Sequence, residues 1–457
     1  MFPPAKSKKP GARDLALEIL SVARRQKRSV EDLLAAALSR HPDLPRQERA
    51  LLLELVQGVK RWEIRLDFFL SQVSELPLRK LHPLVHQILL LGAFQLLMLD
   101  RVPDRAAVHE AVQQARNRGL PGAHVRFINA VLRRLAGGNL PPLPPLELDP
   151  GRALSVEHSH PEWLVGRWLA RWGLEKTRAH LLANNRIPPL TIRVNTSKTE
   201  VAELQARLAR EGVEASPCRF SPEGLALGGL SSPPLELPSY RDGLWLFQDE
   251  AAQLVSRLLP LAPGARVLEI GAGRGGKTSH LANLLADRGL VLAVDSHRGR
   301  LRELHRLLDR LGLTAAHPVL ADASGALPCK AEVFGAVLVD APCSSLGIIR
   351  RHPEIKSRLT EADLATFPPR QRAMLKAAAA CLGPGGRLLY VTCTTEPAEN
   401  EELIGHFLAA HPEFHLATDP RALPPPARQL VQPPGFFRTS PEEHGLDAFF
   451  AAVLAKG

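Results

Sequence analysis

Two cysteines and an aspartate stand where an enzyme built on a β-sheet would use them. Asp340 and Cys343 follow an apolar run at 336–339, and Cys393 follows a second apolar run at 388–391. Short apolar runs of this kind are typical of buried parallel strands. Ligands and reactive groups of an open α/β sheet collect at the carboxyl ends of its strands. We therefore expect one carboxylate and two thiols to share one edge of a sheet.

A glycine-rich stretch, Leu268-Glu-Ile-Gly-Ala-Gly-Arg-Gly-Gly-Lys-Thr278, predicts a ligand-binding turn between a strand and a helix. Its spacing fits three patterns: a dinucleotide fingerprint, a phosphate loop that ends at Lys277 and Thr278, and the S-adenosylmethionine loop of Rossmann-like methyltransferases. All three need glycine because the backbone must turn sharply and approach a ligand without a Cβ in the way. The stretch alone does not distinguish between them.

Two further carboxylates favour a nucleoside ligand. Asp295 ends the second predicted strand, where a carboxylate binds ribose hydroxyls in nucleotide-binding folds. Asp322 follows the third predicted strand, from which a side chain can reach an adenine edge. Each aspartate could instead cap the helix that follows it. Asp340 also fits the magnesium-binding strand of a P-loop NTPase, and in that case the two cysteines would have no role.

Two thiols beside a carboxylate suit methyl transfer to carbon 5 of cytosine. That carbon is a poor nucleophile, but a thiolate that adds to carbon 6 makes the ring enamine-like, so that carbon 5 can attack a sulfonium methyl group. A base must then remove the carbon 5 proton to release the enzyme. A carboxyl group near ring nitrogen 3 would stabilise the adduct. The site must also activate the nucleophile, because a free thiol is only partly ionised at neutral pH.

The composition predicts a multidomain chain with an anionic partner. The chain has 457 residues, of which 45% are hydrophobic and 23% charged, and its formal net charge is +11. This basic balance favours nucleic acid as the partner, with an acidic membrane surface as the second choice. The five cysteines include no close CxxC pair. We therefore expect neither a disulfide framework nor a zinc site, and we expect a reduced, cytoplasmic compartment.

Hydrophobic periodicity divides the chain into three domains and a linker. Helical spacing throughout residues 1–138 predicts an all-α domain, with Leu84–Leu99 as its central helix. Residues 139–150 contain five prolines and are predicted to form an extended linker. Residues 151–250 are predicted to form a small α+β module. Its first helix carries three tryptophans, for which the helical spacing favours core packing over base stacking: Trp163, Trp168 and Trp172.

Residues 251–457 alternate strand, loop and helix, which predicts an α/β, Rossmann-like domain with a parallel sheet covered on both faces. The predicted strands are 267–270, 290–294, 317–320, 336–339 and 388–391. The predicted helices are 275–286, 297–311, 361–381 and 398–410. A closing hairpin is predicted from 436–438 and 448–454.

Several motifs together resemble the RNA 5-methylcytosine methyltransferases. The most specific is Asp340-Ala-Pro-Cys-Ser-Ser-Leu-Gly-Ile-Ile-Arg-Arg-His-Pro-Glu-Ile-Lys356, and the next is Thr392-Cys-Thr394 with Glu399-Asn400. Over nearly its full length the chain is similar to the bacterial 16S rRNA cytosine-5 methyltransferases of the RsmB (Sun) type. Its helical part, with Phe127-Ile-Asn-Ala-Val-Leu-Arg-Arg134, resembles that family's NusB-like RNA-binding domain, and Thr191-Ile-Arg-Val-Asn195 matches its middle segment.

The resemblance implies a class I methyltransferase domain over 251–457 and a role for each site residue. Cys393 would be the nucleophile, Cys343 the thiol that helps to release the product, and Asp340 the residue that orients the cytosine. The cofactor S-adenosylmethionine would be bound by Gly271, Ala272, Gly273, Arg274, Gly275, Gly276, Lys277, Asp295, Asp322 and Asp340. RNA phosphates would be approached by Arg350, Arg351, His352 and Lys356. The implied partner is RNA, either 16S rRNA or a ribosomal particle precursor, with no membrane, metal or stable protein partner.

The chain departs from the family pattern at two places. The usual Cys-Ala-Ala-Pro-Gly-Gly-Lys loop is here Gly271-Ala-Gly-Arg-Gly-Gly-Lys277, closer to the general methyltransferase form, and we expect it to keep cofactor binding. The usual Asp-Gly-Phe-Phe near the C-terminus is Asp447-Ala-Phe-Phe450, which we expect a strand to tolerate. Two alternative functions stay open: a non-catalytic RNA-binding ribosome assembly factor on a methyltransferase scaffold, and a P-loop NTPase.

Overall fold

The computed structural model describes residues 10–26, 29–138, 140–229, 233–325 and 327–457. The helices are α1 Ala12–Gln26, α2 Val30–Arg40, α3 Arg46–Val73, α4 Pro83–Met98, α5 Asp104–Asn117, α6 Gly122–Ala136, α7 Pro150–His158, α8 Glu162–Asn185, α9 Val201–Arg210, α10 Pro238–Arg241, α11 Glu250–Arg257, α12 Gly276–Leu284, α13 Arg298–Leu311, α14 Ile355–Arg358, α15 Phe367–Cys381, α16 Glu401–Ala410 and α17 Pro441–His444. The strands are β1 Leu190–Val194, β2 Glu214–Pro217, β3 Gly224–Gly228, β4 Trp245–Phe247, β5 Arg266–Ile270, β6 Leu290–Asp295, β7 Ala316–Leu320, β8 Phe334–Asp340, β9 Leu382–Thr392, β10 Phe414–Leu416, β11 Val431–Gln432, β12 Phe436–Arg438 and β13 Phe450–Lys456.

The chain forms two compact units. The first unit comprises Met1–Arg186 and Ile349–Thr360, and the second comprises Ile187–Ile348 and Glu361–Gly457. This division differs from the predicted domains, because α7, α8 and the segment Ile349–Thr360 belong to the helical unit and the rest of the middle module belongs to the second unit. The physical reason is that α7 packs on both α3 and α8. The prolines of 140–150 therefore connect two helices of one unit.

The first unit is all-helical and is organised around α4. Every residue of α4 from Leu84 to Gln95 is buried, as expected for a helix that is apolar nearly all round. Helices α1, α3, α5 and α6 all pack on it. Trp168 of α8 is fully buried in this unit, with its ring stacked on Trp172 at 5.7 Å between centroids. Core packing, the interpretation favoured for the tryptophan helix, therefore describes Trp168 correctly.

The second unit contains two sheets. The smaller sheet is antiparallel, with strand order β2-β3-β1-β4. The larger sheet has the order β11-β12-β13-β9-β8-β5-β6-β7, and β10 pairs with β13. Strands β5 to β9 run parallel, whereas β13 is antiparallel to β9. This confirms the predicted Rossmann-like α/β domain and adds an antiparallel edge to it.

The parallel strands place the predicted site at one edge. Strand β5 ends at Ile270, β6 at Asp295, β8 at Asp340 and β9 at Thr392, so the glycine loop and both cysteine loops begin beside one another. The central strands are buried on both faces because helices cover the two sides of the sheet. Among the described residues, no helix is both long and apolar enough to cross a membrane.

Candidate active site

A cleft of about 350 Å³ lies along the carboxyl ends of the parallel strands in the second unit. Its lining includes seven of the predicted site residues: Gly271, Gly273, Asp295, Asp322, Asp340, Cys343 and Cys393. Residues from five separate segments of sequence therefore meet in one cavity. The cleft runs from the glycine loop to the two thiols, so a ligand on the loop would have one end next to the sulfur atoms.

The glycine loop turns between β5 and α12 in a conformation that needs glycine. Gly271, Gly273 and Gly275 have φ angles of 84°, 58° and 90°, in the region that side chains rarely adopt. A Cβ on Gly271 would also collide with the carbonyl oxygen of Asp340. The loop can therefore pass close to β8 and expose its backbone to the cleft.

Asp295 fixes the loop and still faces the cleft. Its carboxylate accepts hydrogen bonds from the backbone N–H of Gly273 at 3.0 Å and of His297 at 2.7 Å. A carboxylate offers about four acceptor positions, so about two remain for the hydroxyls of a ribose. Asp322 is exposed at the cleft, where its carboxylate accepts hydrogen bonds from the N–H and hydroxyl of Ser324. These bonds lower the pKa of Asp322 below its ordinary value.

Lys277 and Asp340 form an ion pair in which Nζ lies 2.7 Å from Oδ2. The ammonium also lies 5.5 Å from the ring centre of Phe449. Burial by itself would lower the pKa of Lys277, but the charge of Asp340 and its hydrogen bond raise that pKa above its ordinary value. Lys277 is therefore a protonated lysine that donates a hydrogen bond to Asp340 at the edge of the cleft.

The sulfur atoms of Cys343 and Cys393 lie 3.4 Å apart. The hydrogen bond between the two thiols, together with burial, raises the pKa of Cys343 well above its ordinary value. Cys343 therefore keeps its proton and can donate it towards the Cys393 sulfur. A thiolate on Cys393 would gain a hydrogen bond from this neighbour, which is the activation that the predicted chemistry requires.

Behind the glycine loop the fold buries two ionisable side chains. Glu269 of β5 is fully buried, and burial raises its pKa to about 8, partly offset by the hydroxyl of Thr278. Arg193 of β1 is also fully buried, and it donates hydrogen bonds at 2.8 Å to the carbonyl of Gly276 and to the hydroxyl of Ser279. Both bonds reach the first turn of α12, so the smaller sheet supports the end of the glycine loop.

Five predicted cofactor residues do not line the cleft: Ala272, Arg274, Gly275, Gly276 and Lys277. Ala272 is buried beneath the loop and donates its N–H to the carbonyl of Val294. The side chain of Arg274, which replaces the proline of the family pattern, forms an ion pair with Glu303 of α13 at 2.8 Å. Gly275 begins α12 beside Leu304, where a Cβ would collide with that side chain. These residues shape the loop, and the side chain of Arg274 is directed to α13.

The cleft also contains residues that sequence reasoning missed. Arg370 and Met374 reach it from α15, and Ser345 reaches it from the loop of Cys343. The Ser345 hydroxyl lies 4.0 Å from the sulfur of Cys343 and 3.8 Å from that of Cys393. Its φ of 60° is unusual for a residue with a side chain and is a conformation that occurs at functional sites. A basic residue on an amphipathic helix gives no sequence signal that it faces a cleft.

The basic segment predicted to approach RNA needs a correction at two positions. Lys356 is 5% exposed, and its ammonium donates hydrogen bonds to the carbonyl of Arg61 at 3.1 Å and to the side chain of Asn185 at 2.8 Å. Arg350 is also 5% exposed, and its carbonyl accepts a hydrogen bond from Arg61. Lys356 therefore holds its segment inside the helical unit and does not offer a surface charge to phosphate. Arg351 and His352 are half-buried.

The cleft fits S-adenosylmethionine in its chemistry. Glycines without Cβ atoms border the end near β5, two carboxylates follow at the ends of β6 and β7, and the opposite end opens on the thiols. A nucleoside with a charged methyl-donating sulfonium needs hydrogen-bond acceptors for its hydroxyls and negative charge for its cation. Fold and site together define a Rossmann-like, S-adenosylmethionine-dependent methyltransferase with an added helical unit.

Comparison with known proteins identifies the family. The model of the 16S rRNA methyltransferase RsmB/F family matches residues 256–455, that of the NusB family matches 10–137, and that of the RsmF/B-like ferredoxin-like domain matches 160–231. A probable ribosomal RNA small subunit methyltransferase B of Bacillus subtilis (strain 168) is 36% identical over 98% of this chain and 99% of its own length. The ribosomal RNA small subunit methyltransferase B of Pseudomonas putida is 36% identical over 94% of this chain and 97% of its own length.

A solved methyltransferase homologue from Pyrococcus horikoshii is similar with a TM-score of 0.57 at 26% identity, covering 68% of this chain and 99% of its own. The chain belongs to the ribosomal RNA small subunit methyltransferase B family, whose members use S-adenosylmethionine to methylate rRNA. The resemblance deduced from the motifs is thereby confirmed. The P-loop NTPase alternative finds no support in these matches.

Proposed function

We propose that this protein methylates carbon 5 of a cytosine in 16S rRNA through a covalent adduct with Cys393. The observation that carries the proposal is the 3.4 Å separation of two thiols in a cleft that is also lined by Asp340, the ion-pair partner of Lys277. When bound, S-adenosylmethionine supplies the methyl group. The names of the matched family and of the relatives support 16S rRNA as the substrate.

The proposed role of each residue follows from the proton that it donates or accepts. Cys393 is the nucleophile that adds to carbon 6, with the Cys343 thiol as its hydrogen-bond donor. Asp340 orients ring nitrogen 3, and the proton for this nitrogen comes from the Lys277 ammonium, which is hydrogen-bonded to Asp340. After methyl transfer, Cys343 must first lose its own proton before its thiolate can remove the proton from carbon 5. Release of the product is therefore the step that depends most on Cys343.

Substitution of the two cysteines tests this division. Cys393→Ala should abolish methylation of 16S rRNA, because no adduct forms. Cys343→Ala should accumulate a protein–RNA adduct that survives denaturing electrophoresis, because addition proceeds but release does not. Bisulfite sequencing of 16S rRNA from cells that carry each variant would identify the cytosine. Cys218→Ser is the matched control, since this thiol does not line the cleft. Normal turnover by both variants would contradict the mechanism.

A further inference from the structure

Glu399 lies outside the cleft but contacts both cysteine loops. It ends a short 3-10 helix, Pro397–Glu399, just before α16, and it is 1% exposed. One carboxylate oxygen accepts hydrogen bonds from the backbone N–H of Ser344 at 3.0 Å and from the side-chain amide of Gln371 at 2.8 Å. The other oxygen accepts hydrogen bonds from the hydroxyls of Ser344 and Thr394.

These contacts connect the two loops one residue away from each reactive sulfur. Ser344 follows Cys343, and Thr394 follows Cys393. The hydroxyls of Ser344 and Thr394 also lie within hydrogen-bond distance of each other. Because each hydroxyl has one proton, Ser344 donates to the carboxylate, and Thr394 donates either to the carboxylate or to Ser344. Tyr390 of β9 donates its hydroxyl to the carbonyl of Glu399 at 2.8 Å, which fixes the backbone of the residue that bridges the loops.

Asn400 supports only one of the two loops. Its side chain accepts a hydrogen bond from the hydroxyl of Thr392 at 2.6 Å and donates one to the carbonyl of Thr394 at 3.0 Å. Both contacts flank Cys393. Glu399 contacts both cysteine loops, whereas the side chain of Asn400 bonds to the Cys393 loop, so the two neighbouring residues have different tasks.

We propose that Glu399 is a positioning residue that sets the separation of the Cys343 and Cys393 sulfur atoms. Its geometric effect on the thiols is independent of the proposed function, whereas its effect on methylation rests on that function. A carboxylate suits the task because it can accept hydrogen bonds from two N–H and two O–H donors at once. A glutamine at this position can do nearly the same, since hydroxyls can turn to accept a hydrogen bond from its amide.

The separation of the thiols can be tested by oxidation with diamide. Each crosslink removes two S–H hydrogens, which reduce the N=N bond of diamide to a hydrazine, and forms one S–S bond. The chain contains its own reference pair, because the sulfurs of Cys329 and Cys381 lie 3.1 Å apart and neither contacts Glu399. Peptide mapping by mass spectrometry would follow both crosslinks in the same sample of the full chain.

Glu399→Ala should slow formation of the Cys343–Cys393 crosslink about 10-fold or more and leave formation of the Cys329–Cys381 crosslink unchanged. The reason is that a displacement of one sulfur atom by about 1 Å is enough to lower the rate of the reaction this much. Glu399→Gln should react like the wild type. If Glu399→Ala disturbs folding, the crosslinking rates of both pairs change. Glu399→Asp then replaces it in the experiment, because aspartate keeps the negative charge on a shorter side chain. The proposal is overturned if the rate of Cys343–Cys393 crosslinking is unchanged. It is also overturned if Glu399→Ala and Glu399→Asp each change the crosslinking rates of both cysteine pairs equally.

Methylation provides the second measurement. Glu399→Ala should lower kcat about 10- to 100-fold with little change in the affinity for S-adenosylmethionine, and Glu399→Gln should restore kcat. Glu402→Ala, at an exposed position of α16, is the matched control. If Glu399→Gln were as slow as Glu399→Ala despite normal crosslinking, the carboxylate would act in proton transfer and the positioning role would be overturned. A wild type that crosslinks but does not methylate cytosine would contradict only the proposed function.

Discussion

Two acidic side chains near the glycine loop have very different surroundings. Asp340 lies 2.7 Å from the ammonium of Lys277. Glu269 is only two residues from Gly271 but is fully buried, and burial raises its pKa to about 8. The strand beneath the glycine loop therefore carries an acid that is largely neutral at pH 7.

The buried acid predicts how stability depends on pH. The folded pKa of Glu269, about 8, lies above its ordinary value of 4.5, so the folded chain keeps a proton that the unfolded chain releases between these values. The contribution of this residue to stability is therefore fully present below pH 4.5 and is lost as the pH rises through 8. We expect Glu269→Gln to leave the melting temperature nearly unchanged at pH 5 and to raise it by roughly 2–6 °C at pH 8.5.

Differential scanning calorimetry at the two pH values measures this effect. Glu402→Gln serves as the control, because its side chain is exposed on α16 and should respond equally at both values. A Glu269→Gln variant whose melting temperature differs from the wild type by the same amount at pH 5 and pH 8.5 would show that Glu269 is ionised in the folded chain.

At the scale of elements, strands were easier to predict than the positions of side chains. The apolar runs at 336–339 and 388–391 predicted strands because a short strand buried on both faces is apolar at every position. In the structure both runs lie inside strands, β8 and β9. Cys343 and Cys393 could therefore be placed at one edge. Arg370 and Glu399 could not be identified, because their positions depend on how α15 and the Pro397–Glu399 turn pack on the sheet.

Helix packing also explains why the compact units divide differently from the predicted domains. A proline-rich segment is typical of a linker. Its composition does not indicate which helices the next helix will pack against. Here α7 packs on α3, and Ser159 after α7 accepts a hydrogen bond from the N–H of Ile64 at 3.0 Å. The helical unit therefore continues to Arg186. Local hydrophobic periodicity gives no information about long-range contacts of this kind.

Arg193 gives a prediction about how the smaller sheet supports the glycine loop. Burial lowers its pKa to about 9, against the charges of Glu223 and Glu269, and its guanidinium bonds to the first turn of α12. Arg193→Met should destabilise the chain by about 3–5 kcal/mol, because it leaves buried partners without a donor. We also expect about 10-fold weaker binding of S-adenosylmethionine, since the loop loses part of its support.

Urea unfolding and isothermal titration calorimetry provide the two measurements for Arg193→Met. Arg421→Met is the matched control, because Arg421 is exposed and its ion pair with Asp419 lies at the surface, so that its loss should change the stability little. A folded Arg193→Met variant with unchanged cofactor affinity would show that the glycine loop keeps its shape without the smaller sheet.

At the scale of the whole molecule, the chain passes between its two units more than once. It enters the second unit at Ile187, returns to the first for Ile349–Thr360, and then completes the second unit from Glu361 onwards. The returning segment follows the Cys343 loop directly in sequence, and Lys356 is buried in the helical unit. A fragment that ends at Arg186 would therefore lack part of its own core.

The net charge of +11 predicts that salt weakens RNA binding strongly. Every phosphate that the protein neutralises releases counterions, and the logarithm of affinity falls with the logarithm of salt by about 0.7 per contact on single strands. With about five contacts, affinity for an rRNA fragment should fall about 100-fold between 50 and 200 mM KCl. Affinity for S-adenosylmethionine should change little, because Asp295 is buried and the charge of Asp340 is already paired with Lys277. Fluorescence anisotropy with labelled RNA measures the first affinity and calorimetry the second. If salt changed the affinities for RNA and for S-adenosylmethionine equally, the basic residues would not contribute to RNA binding. The affinity for RNA would then come from contacts to the bases.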